Sequence, residues 1–308
     1  MRIRGLVLTV AASLALGCGG GSTPTAPGTG SPAPPVPAVC AGTVGATCFG
    51  TSNYIEYAPG DLPVVISVPH GGALTPASIP NRTVGTTVTD TNTVELGRAL
   101  ADALRVRTGR TPHLVIVHLR RTKLDANREV VEAAQGNAEA TRAWEEYHAF
   151  IEQATNAVRQ RSGTGVYIDL HGHGHPIARL ELGYLLSIDT LNQPDAHLDA
   201  IGALASSSLR LMTGATSLSS SALLRGPRSL GGLLEGRVPS VPSPSMPGPG
   251  PDPYFNGGYS TSRHTLMLPG LQIESHYTGV RDSAASRTSF SATLADALVT
   301  FLSEHLHL

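Results

Sequence analysis

Three apolar runs in this chain end in residues that can hold a metal ion or move a proton. LPVVISV, residues 62–68, runs into Pro69-His70-Gly71-Gly72. VYIDL, residues 166–170, runs into His171, and the short run Leu271-Gln272-Ile273 ends at Glu274. Buried-type strands have no packing reason to finish in such groups, and in open α/β sheets ligands gather beyond the carboxyl ends of strands. Glycine beside each histidine lets the backbone approach a ligand closely. Two imidazoles and one carboxylate suit a catalytic zinc, which takes three protein ligands and keeps a position for water. His70 and His171 supply the nitrogens. Asp90 is the best carboxylate because it stands where a helix begins, with Glu95 and Asp169 as rivals. Asp169, two residues before His171, can instead orient a histidine ligand from behind. His173 and His175 share a face with His171 only if the strand continues, and Gly172, Gly174 and Pro176 favour a loop there.

A second constellation, Arg120-Arg121-Thr122-Lys123-Leu124-Asp125-Ala126-Asn127-Arg128, directly follows the apolar run HLVIVHL, residues 113–119. Arginine forks and an asparagine amide suit a substrate carboxylate. A solvated basic turn is the plainer alternative. Glu274 poses a similar choice, because a carboxylate ending an apolar strand is costly without a partner or a task. Arg281 or another surface arginine is the candidate partner.

The elements that must position these groups alternate between two periods. Strands are expected at residues 62–68, 113–119, 166–170, 182–188 and 271–274. Helices are expected from Thr89 or Asp90 to about Val106, and over residues 137–160, 195–212 and 287–305. Such alternation implies an α/β fold, a parallel or mixed sheet with helices on both faces. Residues 237–253 hold seven prolines without periodicity and read as a surface loop at the site's rim.

Ahead of this domain the composition changes. Residues 5–17 are an apolar run behind two arginines, of signal-peptide length and too short to span a bilayer comfortably. The run ends in Ala15-Leu16-Gly17-Cys18, which resembles the bacterial lipobox and implies lipidation of Cys18, the plainer alternative being an ordinary cleaved signal peptide with an incidental cysteine. Residues 18–39 are mostly Gly, Ser, Thr, Pro and Ala, a tether composition. One α/β domain is expected over residues 40–308, lipid-anchored in the cell envelope and facing the periplasm or the surface. An oxidising compartment would let Cys40 and Cys48 close a disulfide. The balance of 22 basic against 23 acidic residues gives no electrostatic reason for a nucleic-acid partner.

Taken in order, the motifs Val68-Pro69-His70-Gly71-Gly72, the Asp90 helix start, Arg121 through Asn127-Arg128, Ile168-Asp169-Leu170-His171-Gly172, Asn256-Gly257-Gly258-Tyr259 and Leu271-Gln272-Ile273-Glu274 resemble the N-formylglutamate amidohydrolase family. That family is similar in turn to zinc carboxypeptidases. The resemblance spans about residues 60–305. It implies a phosphorylase/hydrolase-like α/β fold and one zinc held by His70, Asp90 and His171. It further implies that Arg121 polarises the scissile carbonyl and that Asn127 and Arg128 bind a substrate carboxylate. Glu274 falls on the general base, and Tyr259 on a substrate contact.

The expected activity is zinc-dependent hydrolysis of a C–N amide bond in a small, carboxylate-bearing acyl-amino acid or peptide-like substrate. The alternative is a surface-anchored binding lipoprotein that keeps the fold without turnover. A serine hydrolase is disfavoured, since no Gly-x-Ser-x-Gly elbow is present.

Overall fold

Among residues 40–308, the part of the chain described by the computed structural model, eight strands form one mixed sheet. They are β1 (Cys48–Phe49), β2 (Ile55–Ala58), β3 (Val64–Val68), β4 (His113–Val117), β5 (Val166–Gly172), β6 (Leu180–Gly183), β7 (Ser240–Val241) and β8 (Gly270–Ser275). Their order across the sheet is β1-β2-β4-β3-β5-β8-β6-β7. The centre, β4-β3-β5-β8, is parallel, while β2 and β6 flank it antiparallel. The expected signal segment, the Cys18 lipidation site and the tether lie outside the described residues.

Side-chain alternation explains why the central strands read as continuous apolar runs. On β3, Val64, Ile66 and Val68 enter one apolar cluster and Val65 enters another. On β4, Leu114 and Ile116 divide from Val115 and Val117 in the same way. A sheet covered on both faces needs apolar residues in both phases. The helices in chain order are α1 (Thr93–Thr108), α2 (Val130–Ala134), α3 (Ala138–Ser162), α4 (Ile188–Leu191), α5 (Asp195–Ala200), α6 (Ser220–Arg225), α7 (Leu230–Leu234), α8 (Tyr259–His264) and α9 (Ala284–Leu306). Leu96, Leu100 and Leu104 of α1 and Leu294, Leu298 and Phe301 of α9 fill the first cluster. Trp144, Tyr147, Phe150 and Ile151 of α3 fill the second. No helix among the described residues is long and apolar enough to cross a membrane.

The structure departs from the sequence reading in three places. α1 starts at Thr93, later than expected, so Asp90 stands in the turn before it and accepts Thr93 N–H and hydroxyl on its carbonyl. The single helix expected over 195–212 breaks into α5 and two short 3-10 turns. Ser207 there accepts Leu209 N–H on its Oγ at 3.1 Å and donates to Leu204 O at 2.8 Å, bonds that compete with helix propagation. The strand expected at 182–188 lies earlier, at β6, and the proline-rich segment contributes the two-residue β7. Cys40 and Cys48 are joined by a disulfide with Cα atoms 5.8 Å apart.

Candidate metal centre and active-site cavity

The carboxyl ends of β3, β5 and β8 lie side by side, and this brings the candidate residues together. Register pairs His171 with Glu274 and Asp169 with Gln272. β6 then sets Glu181 beside Glu274. His70 follows β3 into the two glycines. A Cβ on Gly71 would lie 2.5 Å from Thr93 Oγ1, and one on Gly72 would lie 2.4 Å from the His118 carbonyl. Only glycine lets the chain leave His70 beneath the start of α1.

His70, Asp90 and His171 are all buried and converge on one point. Asp90 Oδ2 is 3.4 Å from the Nδ1 of each histidine, and the two Nδ1 atoms are 3.2 Å apart. Asp90 is itself fixed, its Oδ2 accepting Gly172 N–H at 3.1 Å. Each histidine is held from behind by a second carboxylate. His70 Nε2 donates to Asp125 Oδ1 at 2.7 Å, and His171 Nε2 lies 3.2 Å from Asp169 Oδ1. These bonds set the tautomer: with hydrogen on Nε2, both Nδ1 lone pairs face each other and Asp90. Three donor atoms turned on one another need a cation or a proton between them. Without an ion the proton takes the place. Burial works against charge on His171, yet Asp169, Asp90 and Glu274 push its pKa well above the ordinary histidine value. Burial likewise opposes charge on Asp90 and Asp125, and their histidine partners hold both well below the usual carboxylate range.

Glu95 lies in the first turn of α1, outside this group of three. Asp169 takes the position behind His171, where it also accepts the hydroxyls of Ser67 and Thr261 at 2.9 Å each. Asp125, a member of the arginine motif to which its spacing assigns no role, holds His70 and Arg121 together. Arg121 Nε donates to Asp125 Oδ2 at 2.9 Å, and Nη1 lies 3.5 Å from Asp90 Oδ1. The signal for Asp125 was its place between Arg121 and Asn127, but nothing in spacing tells a brace from a solvated acid.

A cavity of about 230 Å³ opens onto this cluster. It is lined by His70, Asp90, His171, Glu274, Arg121, Asn127 and Arg128, so seven of the eight expected ligand, catalytic and substrate residues share one space. Tyr259 is the exception. Its ring packs against Trp144 and His148, and its hydroxyl accepts from Arg263 Nη1 at 3.1 Å. The same turn reaches the site through its neighbour: Ser260 N–H donates to Asn127 Oδ1 at 2.8 Å. That bond leaves the Asn127 amide nitrogen 3.5 Å from His171 Nε2.

Glu274 is buried beside the cluster, its Oε1 accepting from Gln272 Nε2 at 3.0 Å and lying 4.0 Å from His171 Nδ1. Its Oε2 has no hydrogen-bond partner. Burial, with Asp90 and Glu181 nearby, pushes its pKa up to about 8. The expected alternative partner, Arg281, is committed elsewhere, to the carbonyls of Ser275, Thr91 and His173. A second group of metal-capable side chains, His173, His175 and Glu181, lies nearby. Apart from His175 Nε2, its donors are already used. His173 Nε2 donates to Arg179 O at 2.8 Å and its Nδ1 accepts His175 N–H at 3.1 Å. Glu181 accepts His175 Nδ1 at 2.8 Å and Phe255 N–H at 2.7 Å.

Fold and site together define an α/β protein with a buried centre of two histidines and one carboxylate at the carboxyl edge of its sheet. No family model matches the chain, and no curated protein does. Among solved structures it is similar to the N-formylglutamate amidohydrolase of Ralstonia eutropha JMP134, at 14% identity and a TM-score of 0.43, over 80% of this chain and 98% of that one. It is also similar to gene product Atu2144 from Agrobacterium tumefaciens, at 13% identity and a TM-score of 0.47, over 81% and 94% of the two chains. Likeness at that distance does not bear on activity.

Proposed function

We propose that this protein is a zinc-dependent hydrolase of an amide C–N bond in a small, carboxylate-bearing N-acyl amino acid or peptide-like substrate. The observation that carries the reading is the convergence of His70 Nδ1, His171 Nδ1 and Asp90 Oδ2 within 3.4 Å of one another, each imidazole backed by its own carboxylate. Two nitrogens and one oxygen form a donor set suited to zinc, and these three residues would hold the ion. When bound, zinc supplies a Lewis acid for the scissile carbonyl and acidifies a water.

The rest of the chemistry belongs to the chain. Glu274 has an unpartnered buried oxygen and a pKa raised to about 8, so it can take a proton from water and return it to the leaving amine near neutral pH. Arg121 stabilises negative charge developing on the carbonyl oxygen. Arg128, half exposed in the cavity lining, binds the substrate carboxylate. Asn127 orients that carboxylate through its amide group, which Ser260 fixes in rotation.

Metal analysis of the purified protein and a panel of N-formyl and N-acetyl amino acids test the reading. Stoichiometric zinc is expected, with hydrolysis abolished by chelation and restored by zinc. Full activity without metal overturns the zinc assignment. A zinc-loaded protein inert on every amide would leave the binding lipoprotein. We further infer that Cys18 carries a lipid anchor at the cell envelope, an inference from the sequence alone. Cys18→Ser should then move the protein from the membrane to the soluble fraction, and its retention on the membrane excludes the anchor.

A further inference from the structure

The chemistry of the cavity lining narrows the substrate class, on the assumption that the hydrolase reading holds. Among the described residues, two guanidinium groups line the cavity, Arg121 and Arg128. Arg121 already lies between Asp90 and Asp125. Arg128 is the remaining cation, and its Nε has Glu132 Oε1 at 3.4 Å. One substrate carboxylate can be met there, and a second finds no free positive group. The volume, about 230 Å³, falls below the ~300–1,000 Å³ of clefts for drug-sized ligands, so the substrate is small.

The large apolar side chains of the lining are Val88 and Phe255. Phe255 is 45% exposed, yet it is firmly backed. Its ring stacks on His175 at 4.5 Å between centroids and 22° between planes. Glu181, buried, uses one oxygen on His175 and the other on Phe255 N–H. The next residues are pinned as well. Asn256 O accepts Leu185 N–H at 2.6 Å, and a Cβ on Gly258 would lie 2.2 Å from Asn127 Nδ2. Single exposed apolar side chains are ordinary, but one braced from behind and opening on a cavity is a preformed wall.

We propose that Phe255 is a specificity-determining residue, and that the substrates are N-acyl amino acids with one carboxylate and an aromatic or branched apolar side chain that packs on its ring. The test compares kcat/KM of the zinc-loaded protein for the N-acetyl and N-formyl derivatives of phenylalanine, leucine, glycine and glutamate. The phenylalanine and leucine derivatives should exceed the glutamate one by at least about 10-fold. Phe255→Ala should lower kcat/KM for the phenylalanine derivative by about 10–100-fold and collapse its ratio to the glycine derivative. Phe255→Leu should recover part of the loss, and Phe255→Arg should raise the glutamate derivative relative to the others. Calorimetric binding of N-acetylphenylalanine and N-acetylglutamate to the zinc-loaded Glu274→Gln protein should give the same order without turnover. Preference for the glutamate derivative, or equal losses on all four substrates in Phe255→Ala, overturns the side-chain assignment and leaves the hydrolase reading intact. Neither hydrolysis nor binding of any derivative overturns the hydrolase reading itself.

Discussion

His70 and His171 meet with ring centroids 4.8 Å apart, and His148 and His264 meet with centroids 5.0 Å apart. Both pairs are buried and both are in nitrogen contact, at 3.2 Å and 2.8 Å respectively. Their surroundings differ. The first pair faces Asp90, has Asp125 and Asp169 behind it, and opens on a cavity. The second lies among Trp144, Tyr147, Tyr167 and Tyr259. Burial therefore pushes His264 down to about 3 and His148 well below the usual histidine value, while the carboxylates drive His171 the opposite way. In the second pair one imidazole donates to the other, so the contact between them needs no ion, and His148 Nε2 lies buried without a hydrogen-bond partner. Two imidazoles touching is not the mark of a metal centre. The carboxylates that decide where their lone pairs point are.

Removing a ligand should break the comparison most completely. His171→Ala is expected to lose bound zinc and all measurable hydrolysis, while His148→Phe should keep both and differ only in stability. Metal content and turnover on one confirmed amide substrate decide it. Equal zinc retention in the two variants would erase the distinction between the pairs.

Next in size is Glu274→Gln. It preserves the bond with Gln272 but cannot take a proton. A loss of about 10²–10⁴-fold in kcat is expected, with zinc retained. Near-normal kcat would take Glu274 out of the mechanism, and loss of zinc would make it a ligand. Smaller again is the effect of the bracing acids. Asp125→Asn and Asp169→Asn should each weaken zinc affinity by about 10–100-fold, read by competition with a chelator, because the Nε2 bond that fixes each ligand is lost or reversed. If neither variant changes affinity, the carboxylates are bystanders and the comparison fails at its centre.

Much of this site was legible because strands place chemistry at fixed ends. Val68, Leu170 and Ile273 each close an apolar run, and His70, His171 and Glu274, one or two residues further on, share the cavity. A sheet of parallel strands brings such ends together whatever lies between them. What escaped reading lacked that periodic cue. β1, β2 and β7 are two to four residues long, too short to show alternation. Asp125 acts through a tertiary contact with His70 that no spacing reveals. The family resemblance puts Tyr259 at a substrate contact, but α8 turns its ring into the α3 layer beside Trp144 and leaves Ser260 N–H to touch Asn127. No sequence spacing pairs His148 with His264, since they sit on separate helices, α3 and α8.

The smallest expected effect separates the two pairs by the sign of their titration. In the metal-free protein His171 has a folded pKa raised well above the unfolded value, taken as 6.5. A group raised in this way contributes stability that is fully present below the unfolded pKa and is lost as pH rises through the folded one. His264 is lowered from 6.5 to about 3. The unfolded chain binds its proton more readily, so its contribution is present above pH 6.5 and is lost as pH falls toward 3. The Tm difference between metal-free wild type and His171→Asn should thus be largest at mildly acidic pH and shrink toward alkaline pH. The difference between wild type and His264→Leu should move the other way, with the variant gaining relative to wild type as pH falls from 7 to 4. Thermal melts of the three proteins in matched buffers read both trends. Parallel trends for the two histidines would mean that the carboxylates behind His171 do not control its charge, and that the geometry around Asp90 does not set the two pairs apart.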